Sequence, residues 1–184
     1  MSSPEGLTET GKKLVGELDH RGRVIDVAHL ARPGFNDLVR LTDAPLISSH
    51  TGLRRFCDCQ RNLADDQIEL ILGRGGCVGL SLAPEMLSVE GRADLETVVR
   101  QLDWLVQRFG PGGLAIGSDF GGFAGRCREL EDCGDYPKLA CRLLNLGYPK
   151  SAVAAIFGGN WHRFYRTRLP AAPQPGTGET GHSA

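Results

Sequence analysis

The sequence predicts an α/β protein built on four parallel strands, each followed by a helix. Four short apolar runs, at residues 24–29, 45–50, 77–82 and 114–119, have the length and the flanking turn residues of buried strands. Right-handed crossovers bring such strand–helix units into one parallel sheet. An open doubly wound sheet and half of an eight-stranded barrel both fit this order. The chain has 184 residues, whereas a complete barrel takes about 250 and no fewer than about 200.

Helices are predicted wherever apolar residues recur every three or four positions. Their predicted ranges are 7–19, 33–41, 62–75, 94–109, 136–145 and 151–157, with a last turn at 160–165. Asn62 and Asp65 fit a capping box at the third helix, and Asp94 fits an N-cap of the fourth. Residues 84–93 are predicted to be a loop. The Pro- and Gly-rich segment 169–184 is predicted to be a disordered tail, which leaves residues 1–168 as the folded domain.

Composition and charge exclude several classes of protein. Hydrophobic residues make up 41% of the chain and charged residues 23%, as in ordinary globular proteins. A formal net charge of -1 argues against nucleic acid or an anionic membrane as a partner. The sequence has no apolar run of the roughly 18 residues that span a bilayer and no signal-peptide core at its start. We therefore expect a cytoplasmic protein.

The six cysteines do not have the spacing of a zinc site. Cys57 and Cys59 form a C-x-C pair instead of the C-x-x-C of zinc ribbons. Without a secretory signal, reduced thiols are the expected state.

Histidines and an aspartate end three of the four predicted strands. His29 ends the first, His50 the second and Asp119 the fourth. In barrels of alternating strands and helices, active-site groups lie at the carboxyl ends of the strands, so the two histidines are candidates to share a metal ion. A single histidine at such a place is more often structural, and zinc sites usually have at least three protein ligands. By the period of two, the small residues Ala115 and Gly117 share the face of Asp119, which predicts room for a ligand there.

Seven motifs in order extend this argument to nearly the whole chain. They are Gly6-Leu7-Thr8, Asp26-Val27-Ala28-His29, Ser49-His50, Arg61-Asn62-Leu63, Gly75-Gly76, Gly117-Ser118-Asp119-Phe120 and Gly158-Gly159-Asn160. Together they resemble the C-terminal half of the membrane (renal) dipeptidase family, zinc peptidases on a TIM-like barrel. The resemblance implies an incomplete TIM-like (β/α) barrel, a C-terminal half-barrel of about four strand–helix units.

The same resemblance implies the chemistry of the site. The family hydrolyses dipeptides at two zinc ions. Carried over by motif, His29 and His50 are ligands of one zinc, Arg61 pairs with the C-terminal carboxylate of the substrate, and Asp119 is the catalytic carboxylate beside the reacting water. A guanidinium suits its role because it binds both oxygens of a carboxylate. Asp26 lies on the opposite face of its strand and is predicted to be structural.

The family's remaining zinc ligands, a His-x-Asp pair and a bridging glutamate, belong to an N-terminal half without a counterpart in this sequence. We therefore expect a truncated enzyme that retains an incomplete ligand set for one zinc. Three functions stay open: a zinc-dependent dipeptidase, a non-catalytic homologue or assembly partner that keeps the half-barrel, and another amidohydrolase-like metal hydrolase. Open strand edges and an uncovered barrel face predict a homodimer, or a complex with a separate N-terminal half.

Overall fold

The computed structural model describes residues 5–169, so nearly all of the predicted tail lies outside the described residues. Within them the α-helices are α1 (Glu9–His20), α2 (Arg32–Leu41), α3 (Asp65–Gly73), α4 (Pro84–Leu87), α5 (Leu95–Phe109), α6 (Tyr136–Asn145), α7 (Lys150–Ala154) and α8 (Asn160–Arg168). The strands are β1 (Ile25–Asp26), β2 (Leu46–Thr51), β3 (Cys77–Leu80), β4 (Ala93–Asp94), β5 (Leu114–Ile116) and β6 (Cys127–Arg128). No helix among residues 5–169 is long and apolar enough to cross a membrane.

Four parallel strands form the main sheet, in the order β1-β2-β3-β5. Ile25 is paired with Leu46, Ile47 with Cys77, and Val78 with Leu114. Each strand of this sheet pairs with the sheet strand that precedes it along the chain, as in a barrel. In a doubly wound sheet the strand order reverses part-way. The topology therefore favours the half-barrel over the doubly wound alternative. Strands β4 and β6 form a separate parallel pair.

The first and last strands of the sheet are shorter than predicted. Strand β1 ends at Asp26 and β5 at Ile116, so His29 and Asp119 each lie three residues beyond a strand. Both residues have a left-handed backbone, with φ of 66° and 62°. That conformation cannot continue a strand and is uncommon for residues other than glycine. The prediction that both residues lie on strands is therefore wrong, although both follow the carboxyl ends of strands as expected.

Each face of the sheet has its own apolar cluster. Leu46, Val78 and Leu114 belong to the main core, which also contains buried residues of α2, α3 and α5. On the other face, Ile47, Cys77 and Ala115 are at most 3% exposed and pack with Phe164 of α8.

Helix α8 covers the face that was expected to lack an opposite wall, so that expectation is wrong for this part of the sheet. The physical reason is the aromatic side of the helix, where Trp161 and Tyr165 pack against the same cluster as Phe164. The helix is also anchored by hydrogen bonds to β5. The Asn160 amide donates to the carbonyl of Leu114 at 2.6 Å, and the Trp161 indole to that of Ile116 at 3.1 Å.

Two of the local predictions need correction, one about a helix cap and one about a loop. Helix α3 begins at Asp65, with Ala64 as N-cap, and the Ala64 N–H donates to the Gln67 side chain at 3.1 Å. Asn62 is therefore not its cap. Its buried side chain is used instead to hold the preceding loop, as described below. The segment predicted as a loop, residues 84–93, contains the short helix α4.

The predicted cap of α5 is confirmed. The Asp94 carboxylate accepts from the Thr97 N–H at 2.9 Å and from the Thr97 hydroxyl at 2.8 Å. These hydrogen bonds hold the pKa of Asp94 below its usual value, and the bond from the hydroxyl has the larger effect. Because the folded pKa is the lower one, the contribution of Asp94 to stability is present above the unfolded value of about 3.9 and is lost as the pH falls through the folded value.

We predict that Asp94→Ala lowers the free energy of unfolding by about 1 kcal/mol at pH 7, the usual loss for a helix cap. Urea denaturation at a series of pH values measures this. The difference between parent and variant should shrink below about pH 4, where the carboxyl becomes protonated. Asp94→Asn is the matched control, since it keeps a capping oxygen and should lose less. An equal loss at all pH values would contradict the capping role.

Candidate active site

Four predicted site residues meet at the carboxyl end of the main sheet. His29 lies in the turn after β1, His50 is on β2, Arg61 is in the loop that follows β2, and Asp119 follows β5. These segments are far apart in the sequence, so the order of parallel strands is what brings them to one edge.

The two histidines are in direct contact. Their Nε2 atoms are 2.8 Å apart, and the rings meet edge to face with centroids separated by 4.8 Å. The Arg61 Nε–H donates to Nδ1 of His29 at 3.0 Å. On the other side, the Ser49 hydroxyl lies 2.9 Å from Nδ1 of His50.

Arg61 is close to both nitrogens of the His29 ring, since its Nη2 lies 3.1 Å from Nε2. A neutral imidazole accepts a hydrogen bond at only one nitrogen. If Nδ1 of His29 accepts from Arg61, its Nε2 carries the proton and donates to Nε2 of His50, whose Nδ1 then donates to Ser49. If Nε2 of His29 accepts instead, His50 donates to it and Ser49 donates to Nδ1 of His50. The contacts allow either tautomer, and in each of them one proton links the two rings.

Burial and nearby positive charge disfavour protonation of His29. Partial burial lowers the pKa of His29, and the neighbouring Arg61 and His50 lower it further, while Asp119 and Asp26 act in the opposite direction. An uncharged imidazole is the form that has a lone pair for a metal ion or a proton.

Asp119 lies beside the histidine pair without a hydrogen bond to it. Its Oδ2 is 3.8 Å from Nε2 of His50, beyond hydrogen-bond distance. Gly122 closes the turn by donating its N–H to the Asp119 carbonyl at 2.9 Å. A Cβ on Gly122 would come within 2.3 Å of the carboxylate, so glycine at this position permits the observed orientation of Asp119.

The Asp26 carboxylate fixes the two histidine-bearing segments relative to each other. A single oxygen, Oδ1, accepts from the N–H of Ala28 at 2.9 Å and from the N–H of Ser49 at 3.0 Å. The first bond shapes the turn that carries His29, and the second holds β2 one residue before His50. The structural role predicted for Asp26 is confirmed. The role of Ser49 was missed, because only its position before His50 could have indicated it.

Ala115 and Gly117 were expected to leave room for a ligand. Gly117 does not do so, and neither does Gly79 on the neighbouring strand. A Cβ at either glycine would lie within 2.3 Å of the Ser49 carbonyl oxygen. The pairing register of β2 with β3 shifts between Ser48 and Thr51, which marks a bulge at this point. The glycines therefore accommodate the main chain of β2, and the prediction of free space on this face is wrong.

Arg61 is held by a closed loop. The ends of this loop, Leu53 and Leu63, form a parallel bridge, and the Arg54 N–H donates to the Leu63 carbonyl at 3.0 Å. Inside it, the buried Asn62 side chain accepts from the Gly52 N–H and donates to the carbonyls of Cys57 and Met86, at 2.7 to 3.0 Å. The sequence pattern pointed to a helix cap at Asn62 and so missed this role.

The donor set for a metal ion is partial. The Nε2 atoms of His29 and His50 lie 2.8 Å apart, so the two imidazoles can supply two ligands of a zinc ion, whereas a zinc site takes three or four protein ligands. Among residues 5–169, no three or more His, Cys, Asp or Glu side chains form a group that could hold a metal ion. The zinc assignment therefore stays a prediction.

Comparison with known proteins shows the family of the chain. The family model described as membrane dipeptidase (Peptidase family M19) matches residues 1–172. The chain belongs to the membrane dipeptidase family. The resemblance drawn from the seven motifs is thereby confirmed.

Individual relatives extend the match. Human Dipeptidase 3 is 30% identical over 161 residues, which cover 88% of this chain and 33% of that protein. An uncharacterised protein from the pqqA 5′ region of Klebsiella pneumoniae is 33% identical over 162 residues, or 86% of this chain and 59% of that protein.

Solved structures confirm the fold. A metallopeptidase from Rhodobacter sphaeroides, solved with a phosphinate mimic of the dipeptide L-Ala-D-Ala, superposes with a TM-score of 0.83 at 33% identity, covering 91% of this chain and 48% of the other. The probable dipeptidase PvdM from Pseudomonas aeruginosa, at 22% identity and a TM-score of 0.79, shares the fold. The chain spans less than two thirds of the length of these relatives.

We predict that Asp26→Ala separates the two histidines, because two N–H groups lose their shared acceptor. Loss of these hydrogen bonds should lower the free energy of unfolding by about 1–2 kcal/mol, measured in urea. Nitrogen-detected NMR of the imidazole rings should show His29 and His50 changing together. Asp43→Ala is the matched control, since Asp43 is exposed and pairs with Arg74, away from the histidines. Unchanged ring signals in Asp26→Ala would contradict this role.

Proposed function

We propose that this chain provides the C-terminal part of a zinc-dependent dipeptidase active site. His29 and His50 hold one zinc ion, Arg61 binds the C-terminal carboxylate of the substrate, and Asp119 transfers protons. The observation that carries the proposal is the convergence of these four side chains: 2.8 Å between the histidines, 3.0 Å from Arg61 to His29, and 3.8 Å from His50 to Asp119.

The position of Arg61 favours a dipeptide over a longer peptide. In a dipeptide the free carboxylate lies one residue, about 3.8 Å, from the peptide bond to be cleaved. Arg61 touches His29 directly, so a carboxylate bound to the guanidinium places the bond one residue away next to the histidine pair. In a longer substrate, the residues after the cleaved bond would have to extend beyond Arg61, and the terminal carboxylate could not bind to its guanidinium.

Arg61 also couples substrate binding to the state of His29. The guanidinium is in contact with both ring nitrogens of His29, at 3.0 Å from Nδ1 and 3.1 Å from Nε2. A carboxylate draws the guanidinium toward itself because charge-assisted bonds are the stronger ones. Both nitrogens of His29 are then released from Arg61, and Nε2 becomes available as a base.

Asp119 is the group that can move protons. It is a carboxylate within reach of the histidine pair and has no hydrogen bond to it, so it can accept a proton from an attacking water and pass it to the leaving amine. Zinc, when bound, supplies a water of lowered pKa and polarises the peptide carbonyl.

We propose that the remaining metal ligands come from outside residues 5–169, and the sheet offers a place for them. Within the described residues, β1 pairs only with β2, and β5 only with β3, so each has an edge toward which another chain segment can add. We propose that these edges receive a second copy of this chain or a separate N-terminal half. Either would extend the sheet toward the closed barrel of the family.

A second candidate is a non-catalytic homologue that keeps the half-barrel for assembly. It is supported by the absence, among residues 5–169, of any three-ligand metal group. It is also supported by the contact of the Arg61 guanidinium with both nitrogens of the His29 ring, the atoms that would bind a metal ion.

Hydrolysis assays of the full chain with added zinc separate the candidates. We expect cleavage of dipeptides, with lactone, ester and simple amide substrates as comparisons for another amidohydrolase-like activity. Asp119→Asn should lower kcat by about 10²–10⁴-fold, because an amide cannot accept the proton. Arg61→Ala should raise KM for dipeptides with a free carboxylate and leave C-terminal amides unaffected.

Arg55→Ala is the control for Arg61, since Arg55 lies in the same loop and pairs with Asp65. Absence of dipeptide cleavage under all conditions would favour the non-catalytic candidate. If the Arg61→Ala variant kept the parent's ratio between free and amidated dipeptides, its assigned role would be wrong.

A further inference from the structure

The loop that carries Arg61 also holds two neighbouring thiols that the proposed reaction does not use. Cys57 is buried, Cys59 is half-buried, and both are free cysteines. Cys59 is close enough to raise the pKa of the Cys57 thiol. The two thiols are therefore neighbours.

The backbone between the two cysteines is folded into a tight turn. The Cys59 N–H donates to the Cys57 carbonyl at 2.8 Å, the i to i+2 bond of a three-residue turn. In an extended strand, residues two apart are separated by about 6.6 Å, and a turn shortens that distance. Disulfides join Cα atoms about 4.4–6.8 Å apart, so the main chain does not have to unfold for this pair to be linked.

The two thiols differ in reactivity. Burial raises the pKa of the Cys57 thiol, and Cys59 and Asp58 raise it further. Cys57 also donates to the Glu85 carbonyl at 3.4 Å. Cys59 is the more accessible of the two, and accessible thiolates are attacked first by oxidants. Cys77 and Cys127 provide a contrast, because burial raises the pKa of each to about 12 and keeps them inert.

The dithiol is connected to the active-site arginine through Asn62. The Asn62 N–H donates to the Cys59 carbonyl at 3.2 Å, and its side-chain amide to the Cys57 carbonyl at 2.8 Å. Asn62 thus contacts the main chain of both cysteines and is the residue next to Arg61. A change in the 57–59 turn has a direct route to the guanidinium.

We propose that Cys57 and Cys59 form a reversible oxidation site that closes to a disulfide with a hydroperoxide and displaces Arg61 from His29. The Cys59 thiolate attacks a peroxide oxygen and becomes a sulfenic acid, and the peroxide leaves as water or an alcohol after protonation. The Cys57 sulfur then attacks the Cys59 sulfur, forming the S–S bond and releasing water. In total two thiols lose two electrons and two protons, and the peroxide is reduced.

Oxidation is tested by treating the full chain with hydrogen peroxide, blocking free thiols with N-ethylmaleimide and digesting with trypsin. Cleavage after Arg55 and Arg61 isolates residues 56–61, the one tryptic segment with both cysteines. We expect this peptide to lose two hydrogens at least tenfold faster than the exposed Cys133 and Cys141 are modified, and dithiothreitol to restore it. Cys57→Ser should instead leave a sulfenic or higher acid on Cys59, and Cys133→Ser should behave as the parent.

Coupling to the site is read from the His29 ring signals in NMR, which need no activity. They should shift on oxidation of the parent and stay fixed in peroxide-treated Cys59→Ser. If Cys57 and Cys59 remained reduced while Cys133 reacted, the proposal of an oxidation site would be wrong. A disulfide that leaves the His29 signals unchanged would overturn the displacement of Arg61. Neither readout depends on dipeptide hydrolysis, so the proposed function is tested separately.

Discussion

The double hydrogen bond accepted by Asp26 is the contact on which the geometry of the site depends. Strand β1 is two residues long, and its left-handed turn carries His29 away from the ladder. Without further support, such a short edge strand would leave the turn free to move relative to β2. One carboxylate oxygen, bonded to Ala28 and Ser49, converts the two strand ends into one unit. His29 and His50 then meet at 2.8 Å.

Two candidate site residues have a strained backbone. Of the three non-glycine residues with a left-handed backbone between residues 5 and 169, two are His29 and Asp119, and the third is Glu129. A side chain in this conformation is uncommon and persists where the surroundings hold it. Here the surroundings are the Asp26 bonds on one side and the Gly122 turn on the other. Strand β2, which lies between the strands that precede His29 and Asp119, has a bulge next to His50, and Gly79 and Gly117 leave space for its main chain.

The sequence alone was sufficient for the parallel strands and the cap at Asp94, since these follow from apolar periodicity and helix-cap patterns. Strand-end positions and the family resemblance also pointed to the four candidate site residues that the fold brings to one edge of the sheet, and their roles stay predictions. The sequence was insufficient for features that depend on tertiary contact. The left-handed turns at His29 and Asp119 contradict local backbone preference, so a period of two extended both strands too far. Asn62 has the residue type of a helix cap and is recruited into a loop instead. Helix α8 covers the sheet through aromatic residues whose partners are distant in sequence.

Calorimetric titration of the full chain with zinc tests the central claim, that His29 and His50 form one half of a metal site. We expect one zinc per chain, bound more weakly than at sites with three or four protein ligands. Binding should be lost in both His29→Ala and His50→Ala and retained in His162→Ala, where the substituted histidine is exposed on α8. Tight binding that survives His50→Ala would contradict the account and place the ligands elsewhere, first of all among the cysteines.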